Sequence, residues 1–309
     1  MITAVSLNPS IDKMVTVEQF TYGATNRVTH TRNDPSGKAV NVAITASELG
    51  VETECIGFLY EENGRMVENR LLLHGVKTDF LWQEGRVRTN IKLLDASRSI
   101  VTEINEAGVP VTQDALQKML ELVANHAQDS DFLVLTGSLP PGCPKDFYRT
   151  IIEAVEGLNC RCVLDAEGEA LIKGLEAKPF LIKPNLHEAE IAAGRPLQSL
   201  SDVREAAARF LDMGAENVVV SMGSKGAMLV NGRGAYFAEQ IPVQVKSTVG
   251  AGDAMVAGLV AGFMGDLPDE DVLRMGVACA TASVVQEGSQ LMERETYKNF
   301  YKQIQVQEL

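Results

Sequence analysis

Residues 247–253 read STVGAGD and continue without a break into the apolar run AMVAGL at residues 254–259. Small residues followed by a carboxylate and an apolar run predict the beginning of a buried helix. The first amide N–H groups of a helix have no partners within it and lie at the positive end of its dipole, so small residues there let the backbone approach an anion closely. We therefore expect Gly250, Ala251 and Gly252 to form an anion-binding turn.

Asp253 lies in the first turn of this predicted helix. A carboxylate there can face the bound anion and take the proton from a hydroxyl, which is what phosphoryl transfer to an alcohol requires. The structural alternative is a tight turn whose aspartate complements the helix dipole. The motif is neither a Walker A sequence nor the dinucleotide fingerprint GxGxxG. The first hypothesis is a kinase of a small alcohol.

The composition is typical of a soluble globular protein. Of the 309 residues, 45% are hydrophobic and 22% are charged, which suits one α/β domain over residues 1–309. The formal net charge of −13 repels nucleic acids and anionic membranes, so we expect neither as a partner. The five cysteines are scattered without a CxxC pair, and the first residues read as a strand rather than a secretory signal. We expect a cytoplasmic protein with reduced thiols.

Short apolar strands alternate with helical patterns along the chain. Helices are predicted after a Thr112 cap and before Gly50, where a 3.6-residue apolar stripe is present in each case. Strands are predicted at residues 132–136, 162–165, 180–183 and 217–221. This alternation predicts a mostly parallel sheet covered by helices on both faces.

Two stretches interrupt this rhythm. Residues 14–17 with 27–31, and residues 87–94 with 99–104, read as half-exposed antiparallel strands. They predict a small sheet, within 13–34 and 86–105, that serves as a lid and keeps water from the phosphoryl donor. Further on, Asn231-Gly232 predicts a type I′ hairpin turn.

Five other segments lie where predicted strands end and loops or helices begin, which is where ligands bind in open α/β sheets. They are NPSID at 8–12, PSGKAVN at 35–41, TGSLPPG at 136–142, KPNLHE at 183–188 and SMGSKG at 221–226. In order and spacing, and over nearly the whole length, this set resembles the ribokinase-like carbohydrate kinases of the PfkB family. The resemblance is greatest to the branch of 1-phosphofructokinases and tagatose-6-phosphate kinases.

The resemblance implies a ribokinase-like α/β fold, ATP and Mg²⁺ as cofactors, and a sugar phosphate as substrate. Phosphorylation of fructose 1-phosphate to fructose 1,6-bisphosphate is the expected activity. Tagatose-6-phosphate kinase stays open as an alternative, because both acceptors are anionic ketohexose phosphates. A sugar-phosphate-binding regulator without catalysis is the alternative from another class. Presence of the base and of the anion-hole glycines argues against it.

The same resemblance implies roles for particular residues of this chain. Asp253 matches the family's base, and Gly250, Ala251 and Gly252 match its anion hole. Asn185 and Glu188 match a motif associated with Mg²⁺, held through water. The residues matched to the acceptor are Asp12, Arg27, Gly37, Lys38, Asn41, Arg88 and Ser138. Those matched to the nucleotide are Lys183, Asn185, Glu188, Ser221, Gly223, Gly226, Ser247 and Thr248. Structural roles, such as turns, caps and solvated lid arginines, are the alternatives.

One segment departs from the family's pattern. Where relatives commonly read Pro-Gly-Gly-Lys-Gly, this chain has Ser36 and Ala39 in place of two glycines. Each change adds a β-carbon near the acceptor and removes freedom to adopt positive φ. Ala39 suits a helix start, whereas Ser36 bears on the choice of sugar. We also expect a homodimer in which the lid sheets of two copies pair.

Overall fold

The predicted alternation of strands and helices is present in the computed structural model, which describes residues 1–286 and 292–309. The strands are β1 (Ile2–Ser6), β2 (Ser10–Val17), β3 (Val28–Ser36), β4 (Thr53–Tyr60), β5 (Lys77–Gln83), β6 (Arg88–Asp95), β7 (Ile100–Asn105), β8 (Phe132–Thr136), β9 (Arg161–Asp165), β10 (Leu181–Ile182), β11 (Asn217–Ser221), β12 (Ala227–Asn231), β13 (Gly234–Ala238) and β14 (Val306–Glu308). The helices are α1 (Lys38–Glu48), α2 (Arg65–Leu73), α3 (Gln113–Ala127), α4 (Phe147–Ala154), α5 (Gly168–Leu175), α6 (Leu186–Ala193), α7 (Leu200–Asp212), α8 (Ala251–Met264), α9 (Asp269–Val284) and α10 (Arg294–Tyr301).

A large sheet has the order β14-β13-β12-β11-β10-β9-β8-β1-β4-β5. Its strands from β11 to β5 pair in parallel, whereas β12, β13 and β14 form an antiparallel edge. The expectation of a mostly parallel α/β sheet is therefore confirmed. Because β1, β8, β9, β10 and β11 run the same way, their carboxyl ends meet at one edge, and the chemistry-bearing segments follow those ends.

Side chains that alternate along the central strands supply two separate cores. Leu133 and Leu135 of β8 pack with apolar residues of α3, α4, α5 and α7. Phe132 and Val134, one residue out of phase, pack on the other face with residues of α1, α8 and α9. Strands buried on both faces read as continuous apolar runs, which is why these were recognisable in the sequence. Within the described ranges, no helix is long and apolar enough to cross a bilayer.

Close packing of α8 on α9 fixes where α8 begins. A Cβ on Gly258 would lie 2.7 Å from the carbonyl oxygen of Met275, and one on Gly276 would lie 2.7 Å from a side-chain carbon of Leu259. Side chains larger than hydrogen at these positions would force the helices apart. The small residues in the apolar run after Asp253 therefore hold α8 against α9 and set the position of its N-terminus.

A second sheet has the order β3-β2-β6-β7 and matches the predicted lid segments. The prediction of antiparallel strands is only partly right, because β2 and β6 pair in parallel while each outer pair is antiparallel. The reason is topological: β2 follows β1 and β6 follows β5, and β1 and β5 both belong to the parallel part of the large sheet. The second sheet thus consists of two antiparallel hairpins, β2–β3 and β6–β7, that pair through the parallel strands β2 and β6.

The hairpin between β12 and β13 corrects the predicted turn. Asn231 pairs with Gly234 across a two-residue turn, as expected, but neither turn residue has the positive φ that a type I′ turn requires. Instead, Oδ1 of Asn231 accepts hydrogen bonds from the backbone of Arg233 at 2.9 Å and of Gly234 at 3.3 Å. An Asx turn therefore replaces the turn type that the dipeptide suggested.

Candidate active site

A cavity of about 1260 Å³ opens at the carboxyl edge of the large sheet and extends to the lid. Its walls come from the segments that follow β1, β8, β9, β10 and β11, and from the N-termini of α1 and α8. One face of the lid adds the polar side chains Ser10, Asp12, Arg88, Asn90, Lys92, Glu103 and Asn105. Segments far apart in sequence thus meet around a single space.

The turn at the start of α8 lies in this cavity. Gly250 is the N-cap and has φ of 77°, a left-handed conformation that glycine adopts without strain. Asp253 is buried in the first turn, and its Oδ2 accepts a hydrogen bond from Nδ2 of Asn41 at 2.8 Å. Burial raises the pKa of Asp253 to about 6, although the charge of Lys38 and the Asn41 hydrogen bond act in the opposite direction. The carboxyl group is therefore tuned toward neutral pH, where a general base is most effective.

Asp165, at the end of β9, holds two lysines beside Asp253. Nζ of Lys183 lies 3.3 Å from its Oδ1, and Nζ of Lys38 lies 3.5 Å from its Oδ2, which also accepts from Oγ1 of Thr136 at 3.0 Å. Burial alone would raise the pKa of Asp165, but the charges of Lys183 and Lys38 outweigh it and lower that pKa. In turn, Asp165 raises the pKa of Lys38. The site thus keeps two fixed cations in a protein of strongly negative net charge.

The lid end of the cavity contains a second buried ion pair. Nζ of Lys92 lies 2.8 Å from Oδ2 of Asp12, and both side chains are 7% exposed. Oδ1 of Asp12 accepts from Oγ of Ser10 at 3.2 Å and from Nδ2 of Asn90 at 3.3 Å. Arg88, on the same face, donates through Nη1 to the carbonyl of Glu106 at 3.1 Å. This end is rigid, polar and suited to a hydroxylated anion.

The opposite end of the cavity is apolar. It lies between the segment after β13 and the C-terminal turns of α9. There, Nε2 of Gln240 donates a hydrogen bond to Oγ1 of Thr281 at 2.9 Å. Its apolar lining comprises Met222, Ile241, Val243, Val245, Ala280 and Val284. Apolar walls with a few placed polar groups suit the flat ring of a nucleobase. This end was not identified from the sequence, because scattered apolar residues carry no local motif.

Asn185 and Glu188 form a capping box at the start of α6. Oδ1 of Asn185 accepts from the backbone of Glu188 at 2.9 Å, and Oε2 of Glu188 accepts from the backbone of Asn185 at 2.7 Å. Burial raises the pKa of Glu188, with the hydrogen bond to Asn185 acting against it. The structural alternative from the sequence is thus realised, and it still leaves Oε1 of Glu188 outside the capping box.

Most of the site residues predicted from the sequence line this cavity, but three do not. The three residues outside the lining are Arg27, Glu188 and Ser247. Arg27 is exposed in the connection before β3. Glu188 is near enough to Lys183 and Lys38 for their charges to affect its pKa, and Oγ of Ser247 accepts from the backbone of Val249 at 3.2 Å. The predicted residues in the lining are Asp12, Gly37, Lys38, Asn41, Arg88, Ser138, Lys183, Asn185, Ser221, Gly223, Gly226, Thr248, Gly250, Ala251, Gly252 and Asp253.

Several polar residues of the cavity were missed in the sequence, and for Asp165, Asn90 and Lys92 a usable signal was present. Asp165 ends a predicted strand, so its place at the carboxyl edge of the sheet was a usable signal. Asn90 and Lys92 follow Arg88 at steps of two in a strand, which places all three on one face of the sheet. The alternation of side chains along this strand therefore indicated that Asn90 and Lys92 belong to the acceptor-binding end of the site together with Arg88.

The departure at the acceptor loop is accommodated without strain. Ser36 is the last residue of β3 and pairs with Ser10, and Ala39 lies inside α1. The positive φ falls on Gly37 alone, at 135°. A Cβ on Gly37 would lie 3.3 Å from Cα of Pro9, so this glycine is needed for both conformation and space. Neither replaced glycine position requires glycine here.

Comparison with known proteins identifies the class of this site. The sequence profile described as pfkB family carbohydrate kinase matches residues 5–296. The 1-phosphofructokinase of Bacillus subtilis is 37% identical over 93% of each chain, and that of Vibrio cholerae is 36% identical over 100% of this chain and 97% of its own. A crystal structure of Escherichia coli phosphofructokinase-2 with substrates and products superposes with a TM-score of 0.92 at 28% identity over 98% of each chain.

The chain therefore belongs to the pfkB family of carbohydrate kinases. It is a phosphotransferase similar to the 1-phosphofructokinases, and ATP is the donor that the family uses. The fold that the resemblance implied is confirmed by the superposition and by the two sheets described above.

Asp253→Asn is expected to lower kcat by at least about 100-fold, because the amide cannot take a proton in the transition state. Nucleotide affinity, measured by calorimetry, should change less than about threefold. Since burial disfavours the ionised carboxyl, removing its charge should leave the melting temperature at pH 7.5 equal to or above that of the parent. Turnover within about tenfold of the parent would remove Asp253 from the proton transfer.

Proposed function

We propose that this chain transfers the γ-phosphoryl group of ATP to the C6 hydroxyl of fructose 1-phosphate and forms fructose 1,6-bisphosphate. The observation that carries the proposal is the buried carboxyl of Asp253 at the N-terminus of α8, in one cavity with a polar, cationic end and an apolar end. The names of the B. subtilis and V. cholerae relatives support the choice of acceptor.

In this mechanism Asp253 takes the proton from the acceptor hydroxyl. The carboxyl is ionised above its pKa of about 6 and therefore ready to accept at neutral pH. The amides of the Gly250–Asp253 turn and the charge of Lys38 stabilise the transferring phosphoryl group. Lys38 suits this role because Asp165 holds it beside Asp253. The lid excludes water that would otherwise compete with the sugar.

The acceptor is held at the lid end. Asp12, Asn41 and Gly37 face its hydroxyl groups, and Arg88 and Ser138 take its phosphate. Nε of Arg88 is buried with no hydrogen-bond partner among the described residues, which supports this role, since an anion would supply one. Arg27 lies outside the cavity, and its proposed contact with the phosphate requires the connection before β3 to move inward.

The nucleotide is held at the apolar end. The left-handed turn at Gly223 and Gly226 follows β11 and lets the backbone of that segment approach the phosphates, beside Ser221. Thr248 and Lys183 line the same cavity as both turns. Ser247 orders the segment before the anion-binding turn, because its Oγ accepts from the backbone of Val249. The apolar lining residues enclose the base.

The residues present fit a Mg²⁺ ion held through its water shell. Mg²⁺ binds oxygen ligands and keeps several waters. The side chain of Asn185 lines the cavity, and Oε1 of Glu188, which lies outside the lining, offers an oxygen acceptor that water held by the ion would reach. Both residues stand at the start of α6, one helical turn apart. When bound, Mg²⁺ neutralises charge on the nucleotide phosphates.

A homodimer through the lid is proposed as the assembly. The lid face opposite Asp12 exposes apolar side chains, with Val28 at 54%, Ile100 at 55% and Ile104 at 57%. Pairing with a second copy would cover these residues. Sedimentation equilibrium at micromolar concentration should give twice the mass of the chain, and the mass of one chain would contradict the proposal.

The acceptor is tested by coupled ADP release with fructose 1-phosphate, tagatose 6-phosphate, fructose 6-phosphate and the unphosphorylated sugars. Fructose 1-phosphate should have the highest kcat/KM, at least about 100-fold above fructose, because the charged clamp is left unpaired without a phosphate. A preference for tagatose 6-phosphate would select the alternative acceptor. ADP release that no sugar accelerates would overturn the proposal and leave a regulator that binds without catalysis.

Glu188→Gln is expected to raise the Mg²⁺ concentration for half-maximal rate about tenfold, as for groups that orient a metal through water. Gln keeps an oxygen for the capping box, so the helix start is preserved. The matched control is Asp202→Asn, because Asp202 has the same capping-box role at the start of α7, but its capping partner Ser199 does not line the cavity, whereas Asn185 does. Its Mg²⁺ requirement should equal the parent's. Superimposable titrations for Glu188→Gln and the parent would leave Glu188 a cap only.

A further inference from the structure

The cavity face of the lid carries a polar residue to which no motif pointed. Strands β2 and β6 run parallel with Ser10 opposite Arg88 and Asp12 opposite Asn90, so these four side chains share the face that lines the cavity. Asn90 lies two residues beyond Arg88, which is about 7 Å along a strand. That distance is comparable to the spacing between the phosphate and the hydroxyls of one small sugar phosphate.

The side-chain amide of Asn90 uses its nitrogen in a hydrogen bond, whereas its oxygen has no partner among the described residues. Nδ2 donates to Oδ1 of Asp12 at 3.3 Å, whereas Oδ1 of Asn90 is buried and has no hydrogen-bond partner among the residues that the structure describes. The orientation of the amide is fixed by Asp12, because a carboxylate only accepts and must face the NH₂ group. A buried carbonyl without a partner is unfavourable, and a bound hydroxyl that donates to it removes that cost.

Asp12 is itself held in place and orients Asn90. Lys92 lies against its Oδ2 at 2.8 Å, Ser10 donates to its Oδ1 at 3.2 Å, and Lys92 and Asp12 are almost completely buried. Asn41 repeats the arrangement across the cavity, with Nδ2 on the carboxylate of Asp253 at 2.8 Å and a buried Oδ1 that has no partner in the described ranges. Two amides thus turn their NH₂ groups to carboxylates and keep their carbonyl oxygens for another donor.

We propose that Asn90 is a specificity-determining residue, whose Oδ1 accepts a hydrogen bond from a ring hydroxyl of the sugar phosphate anchored at Arg88. The inference rests on the proposed function, since it takes the acceptor to be a ketohexose phosphate. Sites built to hydrogen-bond a hydroxyl discriminate strongly against analogues that lack it, because the buried partner stays unpaired. Asp12, which also faces the acceptor hydroxyl groups, orients the amide of Asn90, and Lys92 acts on this contact as a positioning residue through Asp12.

The test measures coupling between Asn90 and individual hydroxyls. The kcat/KM values of the preferred ketohexose phosphate and of its 3-deoxy and 4-deoxy analogues are determined for the parent and for Asn90→Ala. In the parent, at least one analogue should be about tenfold or more worse than the full substrate. In Asn90→Ala that penalty should shrink to about twofold, with the change mostly in KM, because the contact forms already in the ground state.

The control is Asn125→Ala, which removes an exposed asparagine of α3, outside both the cavity and the lid, and should leave every ratio unchanged. Calorimetry without nucleotide should give a Kd for the sugar phosphate at least about fivefold weaker in Asn90→Ala, a readout independent of turnover. If Asn90→Ala does not fold, the isosteric Asn90→Leu gives the same measurements.

The outcomes separate this inference from the proposed function. Failure of the parent to phosphorylate any ketohexose phosphate overturns the proposed function and this inference with it. A parent that is active but shows no deoxy penalty, or an Asn90 variant that keeps the parent's penalties for both analogues, overturns the role of Asn90 and leaves the proposed function standing.

Discussion

The burial of one carboxyl group at the start of a helix is the constraint on which the rest of the site depends. Asp253 lies in the first turn of α8, at the positive end of the helix dipole, which attracts an anion. The pKa of Asp253 is raised because the carboxyl has little contact with water. Burial without compensation would leave the carboxyl protonated and inert. Asn41 and Lys38 offset part of that effect, so the group stays ionised at neutral pH and can still accept a proton.

The charge balance around that carboxyl is supplied locally. The chain as a whole has a net charge of −13, and its overall field repels an anionic substrate. Asp165 with Lys38 and Lys183, and Asp12 with Lys92, place cations in the cavity while each remains paired. The pairs Lys183–Asp165 and Lys92–Asp12 are buried, whereas the side chain of Lys38 is 44% exposed. A buried ion pair adds little to stability, so its value lies in holding charge ready for a ligand. In the proposed function, specificity and catalysis therefore depend on these few ion pairs.

Much of this could be predicted from the sequence, because buried parallel strands and helix starts have local signatures. Strand β11 was predicted with its observed bounds. Strand β10 is shorter than predicted at both ends, and Pro184, which has no N–H to donate, limits it on the carboxyl side. The parallel pairing of β2 with β6 was not predictable from local pattern, because it depends on where two distant strands leave the large sheet. The motif at Asp253 was found for the same local reason, whereas Asp165 and Asn90 matter through partners far away in sequence.

The central claim is that burial and neighbouring charges tune Asp253 to act as a base near neutral pH. The most direct test is a ¹³C NMR titration of aspartate side-chain carboxyls, with the Asp253 signal identified by its loss in Asp253→Asn. The predicted result is a midpoint of about 6, which moves to higher pH in Lys38→Met because the lysine charge lowers this pKa. A midpoint near the ordinary aspartate value of about 4, or one that the loss of Lys38 does not move, would contradict the account.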